Sequence, residues 1–446
     1  MIAAIQSRSR ARIADLSLVV LLLLLLPVRS IAQSPAPTVT LTQALELARG
    51  VAPTVVSARG NVRSADAQVL SAKGEYLPSV TATSSGVNAF AGGPARVNPV
   101  TGVVQSGNSS STTVGLGISA SIDLFTGFRR GADRRSAQAT QTAAVASLTD
   151  AQFQTDLAVT QQYFAALAAQ QLVGVRQASV RVAEEQLAQS VAKLRVGSAT
   201  RADSLSSLVN LGTAQLNLVS AQSGVAGAQA SLGRLLGLDA PVAAADDSAF
   251  YDFSVELDTL ELLREALDRS PSVQAADASA QAANASISSA KAAYWPTLSL
   301  TGAGSWLGSD NLSYQLYPQR SITLGLNWPL FNRFQREQSI AVREVAYDAA
   351  DATAKDTRRG VRASLITQEA ALEAARVQIR ITRTSVDAAT ENLRVVNERY
   401  KVGAATIVDV LTAQTSLAQA GVDAINARFA YLNAKAQIEA LIGRRL

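Results

Sequence analysis

The chain has 446 residues, 17% of them charged, a formal net charge of +5, and neither cysteine nor histidine. The missing cysteine excludes disulfides, thiolate metal sites and a thiol nucleophile, and the missing histidine removes the commonest general base and metal ligand. The chain is therefore read as not an enzyme, with no cofactor and no metal site.

Residues 1–32 read as a cleaved signal peptide. Arg8, Arg10 and Arg12 form a basic start, Leu16 to Leu26 an apolar core, and Ser30-Ile31-Ala32 a small-x-small signal before Gln33. The apolar run is too short to span a bilayer as a helix. Four arginines against Asp15 place +3 of the formal +5 in this leader, which leaves +2 for the mature chain. No nucleic acid is expected as a partner. With no cysteine to acylate, no N-terminal lipid anchor is expected either.

The mature chain reads as an internal duplication, residues 33–245 and 246–446, whose halves interleave into one unit. Pro53 and Pro271, Tyr76 and Tyr294, and Pro78 and Pro296 are each 218 positions apart, and later matches are 206 apart, so the first repeat holds 12 extra residues. Thr42 is the predicted N-cap of a short helix that Gly50 can end, and Pro53 begins the next. In the second repeat Asp258-x-x-Glu261 has capping-box spacing, and Ser270-Pro271 stands as N-cap and first helical residue.

A β-hairpin follows in each repeat, at about 79–124 and about 297–330. The extra residues lie in the loop of the first, rich in Gly, Asn, Ser and Pro from Ala91 to Ser111. Val114, Leu116, Ile118, Ala120, Ile122 and Leu124 alternate with Gly, Ser and Asp; Ile322, Leu324, Leu326, Trp328 and Leu330 alternate in the same way. This length and period suit a membrane-barrel strand, and a soluble sandwich strand shares the alternation. Phe125, Phe128, Arg129 and Arg130 after the first hairpin, and Trp328, Phe331 and Phe334 with nearby arginines after the second, read as a membrane-interface girdle.

Each hairpin leads into a very long helix. Leu365, Leu372, Ile379, Val386, Leu393 and Tyr400 recur every seven residues, and Val159, Ala166, Val173, Val180, Leu187 and Leu194 match them 206 positions earlier. The spacing predicts coiled-coil packing over about 100 Å in each repeat. Return helices from Arg201 to Leu236 and from Ile407 to Ile442 are rich in small and amide residues, with Gly237 and Gly443 at their ends.

Leu41-Thr42-Gln43-Ala44-Leu45-Glu46, the Pro53 and Pro271 helix starts, Leu77-Pro78-Ser79, and Tyr400-Lys401-Val402-Gly403 through Asp409-Val410-Leu411 with Ala413-Gln414 resemble the TolC-like outer-membrane efflux proteins. The resemblance covers nearly all of the mature chain. It implies a mixed α and β membrane protein: a homotrimer whose chains give four strands each to a 12-strand outer-membrane barrel, above an α-helical barrel crossing the periplasm. It also implies a passive exit duct serving a periplasmic adaptor and an inner-membrane pump, in a tripartite efflux or type I secretion system.

Carried over, Val196, Gly197, Thr200, Val402, Gly403 and Thr406 are expected in adaptor-docking turns, and Tyr400, Asp409 and Asp203 at the periplasmic entrance. Two positions depart from the family pattern: Ala405 stands where an arginine is expected, and Thr412 where a second acid is. Thr200-x-x-Asp203 and Thr406-x-x-Asp409 also have capping-box spacing, so both aspartates have a purely structural reading, and Tyr400 has one in the heptad seam. A periplasmic structural or adaptor coiled coil is the alternative. An adaptor would show one helical hairpin amid many strands, whereas here each repeat has its own.

Overall fold

A computed structural model describes residues 36–105, 109–253, 258–310 and 315–446. The leader and its cleavage point before Gln33 lie outside the described residues. The elements are β1 (Thr38–Val39), α1 (Leu41–Val51), α2 (Pro53–Gly74), β2 (Ser79–Ala91), β3 (Arg96–Val97), β4 (Val104–Gln105), β5 (Ser109–Phe125), α3 (Arg129–Arg195) and α4 (Arg201–Leu235). Then come β6 (Ala243–Ala244), α5 (Thr259–Arg269), α6 (Pro271–Lys291), β7 (Thr297–Ser309), β8 (Tyr317–Asn327), α7 (Gln335–Lys401) and α8 (Ile407–Ile442).

Local chemistry moves several predicted boundaries. The cap of α1 is Thr40, not Thr42: its hydroxyl accepts from Gln43 N at 3.3 Å while Gln43 Oε1 accepts from Thr40 N at 3.1 Å. The reciprocal bond needs Glu or Gln three residues on, which Thr40 has and Thr42 lacks. Gly50 lies inside the helix, which ends at Val51 because Ala52 precedes Pro53. Ser270 makes no cap bond with its side chain; its hydroxyl lies 3.0 Å from that of Ser272. The strand predicted to reach Leu330 stops at Asn327, since Pro329 has no N–H for a ladder.

The main sheet has the order β2-β5-β7-β8, antiparallel throughout, so β5 and β7 join the two repeats and β2 and β8 are open edges. Its register puts Val80, Ile118, Leu300 and Leu324 on one face, and Ser79, Ser121, Thr301 and Thr323 on the other. Among the described residues nothing covers the apolar face: Val80 is 70% exposed, Ile322 85% and Leu326 70%.

The helices α3 and α7 are 67 residues each, about 100 Å at 1.5 Å per residue. Near the sheet they alternate with α2 and α6, and in the far half with α4 and α8. The short columns are broken between halves. A Cβ on Gly237, just past α4, would lie 2.7 Å from Val51 Cγ2, and one on Gly443, past α8, 3.3 Å from Pro271 Cδ. Around this level sits the main core. Tyr163 is fully buried there and donates to the carbonyls of Val39 at 3.1 Å and Ala245 at 2.6 Å, tying the small parallel β1-β6 sheet to α3. Burial pushes the Tyr163 phenol up to about 12.

The heptads differ in use. Along α7 the seam residues Leu365, Leu372, Leu393 and Tyr400 are buried, with Ile379 and Val386 half-buried. In α3, Val159, Ala166 and Val180 are buried, but so are Tyr163, Phe164, Leu167 and Ala183, while Leu194 is exposed. The cause is position: α3 has helices on both flanks, whereas α7 forms the edge of the chain. No helix among the described residues is long and apolar enough to cross a membrane.

Candidate entrance turns and membrane-facing girdle

At the foot of the sheet each strand turns into its long helix through two consecutive left-handed residues. These are Gly127 (φ 62°) and Phe128 (φ 68°) in the first repeat, and Arg333 (φ 59°) and Phe334 (φ 62°) in the second. The turn throws the aromatic rings outward and packs them edge to face. Phe125 and Phe128 are 5.4 Å apart, Phe128 and Trp295 5.6 Å, and Phe331 and Phe334 5.5 Å between centroids. Phe128, Trp328, Phe331 and Phe334 are exposed, Phe125 is half-buried, and the Trp328 indole donates to Tyr294 O at 3.3 Å.

The arginines of this girdle divide in two. Arg129 is exposed. Arg130 turns inward, donating to Glu75 O and Leu124 O at 3.3 Å each, with its guanidinium 5.0 Å from the Tyr76 ring centroid. Arg336 repeats the arrangement on Pro329 O at 3.0 Å, Leu330 O at 3.2 Å and the Tyr294 ring at 4.7 Å. Strand end, helix start and the tyrosine ending the preceding helix are thus clamped in both repeats by one planar cation.

At the far end each helix hairpin closes on a glycine. Gly197 has φ 75° and Gly403 φ 82°, and Ser198 N and Ala404 N return to Lys193 O at 2.9 Å and Arg399 O at 2.8 Å. These are Schellman-type closures. No atom lies within 4 Å of a Cβ built on either glycine, so dihedral angle alone selects it. Val196 and Val402 stand exposed at the two tips.

Both capping boxes exist. Thr200 accepts from Asp203 N at 3.2 Å and Asp203 Oδ2 from Thr200 N at 2.8 Å; Thr406 and Asp409 do the same at 3.2 Å and 2.7 Å. The Thr406 hydroxyl also donates to Asp409 Oδ2 at 2.8 Å. Hydrogen bonds from the Thr406 amide and hydroxyl, with the Arg399 charge, hold the exposed Asp409 carboxyl below the usual carboxylate range.

Tyr400 is buried beside Leu393, Ile407, Val410 and Ala413. Its hydroxyl has no hydrogen-bond partner among the described residues. Burial, reinforced by the Asp203 charge, raises its pKa. A contact that sequence reading misses completes the cluster: Lys193, near the end of α3, donates its ammonium to Tyr400 O and sits 4.0 Å from the Tyr400 ring centroid. The two residues are 207 positions apart, and no local motif marks the lysine. Asn210 Nδ2 donates to Gln414 Oε1 at 2.9 Å, bridging α4 to α8 beside a cavity of about 540 Å³ between the hairpins. Asp203 and Asp409 thus both stay in their caps, and the Asp203 charge is felt at the buried Tyr400 phenol.

The family model for outer membrane efflux proteins matches residues 44–238 and 262–444. Protein CyaE of Bordetella pertussis is 26% identical over 380 residues, 84% of this chain and 78% of that one. Outer membrane efflux protein BepC of Brucella suis biovar 1 is 26% identical over 417 residues, 90% and 86% of the two chains. Among solved structures, the CmeC outer membrane channel of Campylobacter jejuni superposes with a TM-score of 0.77 at 18% identity, over 90% of this chain and 85% of its own. The outer membrane protein VceC of Vibrio cholerae gives 0.72 at 17% identity, over 91% and 96%. With the model spanning both repeats, the chain belongs to the outer membrane efflux protein family, the TolC-like proteins.

Proposed function

We propose that the protein is the outer-membrane exit duct of a tripartite efflux or type I secretion system. It passively conducts substrates that an inner-membrane pump and a periplasmic adaptor deliver. The observation that carries this reading is the uncovered apolar face of a four-stranded sheet with both edges open. In lipid every backbone group needs a partner, so open edges must pair with those of other copies. Two copies would make eight strands and an interior filled by side chains, whereas three make twelve and leave a lumen.

In this reading the apolar face meets lipid and the hydroxyl-rich face meets water. The girdle of Phe125, Phe128, Arg129, Trp328, Phe331 and Phe334 lies at the periplasmic interface, and Arg130 serves it by clamping the strand-to-helix turn. The leader is removed before Gln33, and no lipid anchors the mature N-terminus. The turns bearing Val196, Gly197, Thr200, Val402, Gly403 and Thr406 dock the adaptor, their exposed valines supplying apolar contact. Tyr400 and Asp203 form the entrance latch, Lys193 braces it, and Asp409 orders the start of α8 at the mouth.

Single-channel recording of the detergent-purified protein in planar bilayers tests this. Discrete conductance steps from a species of three chains are expected. Folded, inserted protein that passes no current, with or without Tyr400→Phe, would overturn the duct.

A further inference from the structure

The four strands of the main sheet carry only two charged residues, Asp123 and Arg320. The register separates them. Arg320 pairs with Gly304 on the apolar face near the far rim, whereas Asp123 pairs with Ser299, and Ser299 with Gly325, on the face of Ser and Thr hydroxyls. Asp123 lies at the sheet's foot, where a bulge between it and Phe125 shifts the register of β5 against β7. It is half-buried, and among the described residues its carboxylate has neither an ion pair nor a hydrogen bond. Of the two nearest basic side chains in sequence, Arg129 is exposed and Arg130 is engaged on the carbonyls of Glu75 and Leu124 and on the Tyr76 ring.

We infer that Asp123 sets the ion preference of the barrel, a ring of three carboxylates at its base that favours cationic over anionic solutes. The inference rests on the trimeric-barrel reading above. An unneutralised carboxylate on an otherwise uncharged wall fixes the sign of the local potential, because hydroxyls orient to either ion. Asp409 lies at the other end of a helix of 67 residues, about 100 Å away and many Debye lengths of about 10 Å at 0.1 M salt. The two ends therefore act independently.

The chain has no cysteine, so Asp123→Cys places a unique thiol. In 0.1 M KCl the variant should lose cation-over-anion permeability by about twofold or more. In the same open channel, a sulfonate-bearing thiol reagent should restore the preference and a trimethylammonium reagent should reverse it. At 1 M salt, with a Debye length of about 3 Å, the differences should vanish. Ser299→Cys, on the same rung with Asp123 intact, should lose the preference when given the cationic reagent, and Ile118→Cys on the other face should be silent. An unreactive thiol at 123 and 299, or reaction without change in permeability ratio, overturns the assignment. Wild-type protein that forms no channel removes the barrel reading itself, and this assignment with it.

Discussion

Replacing Lys193 with Met keeps the length of the side chain and deletes its charge. The lost contacts are the ammonium on the carbonyl of Tyr400, in the last turn of α7, and its seat 4.0 Å from the Tyr400 ring centroid. A hydrogen bond to a charged group contributes about 1.5–3 kcal/mol, a half-buried cation–π contact about 1 kcal/mol, and a cation at a helix C-terminus about 0.5 kcal/mol. Against these stands the rotamer entropy of the lysine, about 2 kcal/mol. The net loss is about 2 kcal/mol, or about 30-fold in the population of open tips at 1.4 kcal/mol per decade. Hydrogen exchange followed by mass spectrometry reads it directly. Amides of Gly403 and Ala404, bonded to Tyr400 O and Arg399 O, should exchange about 30-fold faster. Peptides around Tyr163 should be unchanged, and Lys193→Arg should recover part of the protection. Unaltered exchange at 402–406, or equal loosening at the central core, would refute the brace.

Two further predictions separate crowding from conformation and charge from shape. Gly127 and Gly197 both have positive φ, but a Cβ at 127 would fall 2.5 Å from Trp295 Cβ and 2.9 Å from Ala292 O, whereas one at 197 meets nothing. Gly197→Ala should therefore cost about 1–2 kcal/mol of local stability and still assemble, while Gly127→Ala should abolish the yield of heat-resistant oligomer on gels. Asp409 has a folded pKa below its unfolded one, so its contribution is complete above about pH 4 and is lost as pH falls through the lower folded value. Exchange protection in the first turn of α8 should drop across that acid window, and Asp409→Asn should flatten the profile.

The elements that sequence made legible are those whose signal repeats. The seven-residue spacing along α7 picks out its seam, with Leu365, Leu372, Leu393 and Tyr400 buried and Ile379 and Val386 half-buried, and the alternation in β5 assigns both faces of the sheet. The same heptad in α3 undercounts its buried face, because a helix flanked on both sides buries more than one stripe and the periodicity does not reveal how many neighbours it has. Thr40 and Thr42 both stand before the first apolar run, and only Thr40 has a side-chain amide, that of Gln43, three residues on as reciprocal partner. Arg130 and Arg336 are visible as interface arginines, but their inward turn depends on carbonyls freed where strands end. Lys193 carries no mark in sequence, since its partner Tyr400 ends α7 in the other repeat and is brought to it only because α8, the return partner of α7, packs against α3.

The breaks between short columns fall at one level, where α4 abuts α1 at Gly237 and α8 abuts α6 at Gly443. Only α3 and α7 run unbroken through that waist. At both joints glycine lets one helix end sit flush against the next, where a Cβ would push the pair apart. The waist thus joins two broken columns through two seamless ones, and a single added carbon at either joint would show as a step between the halves of its column.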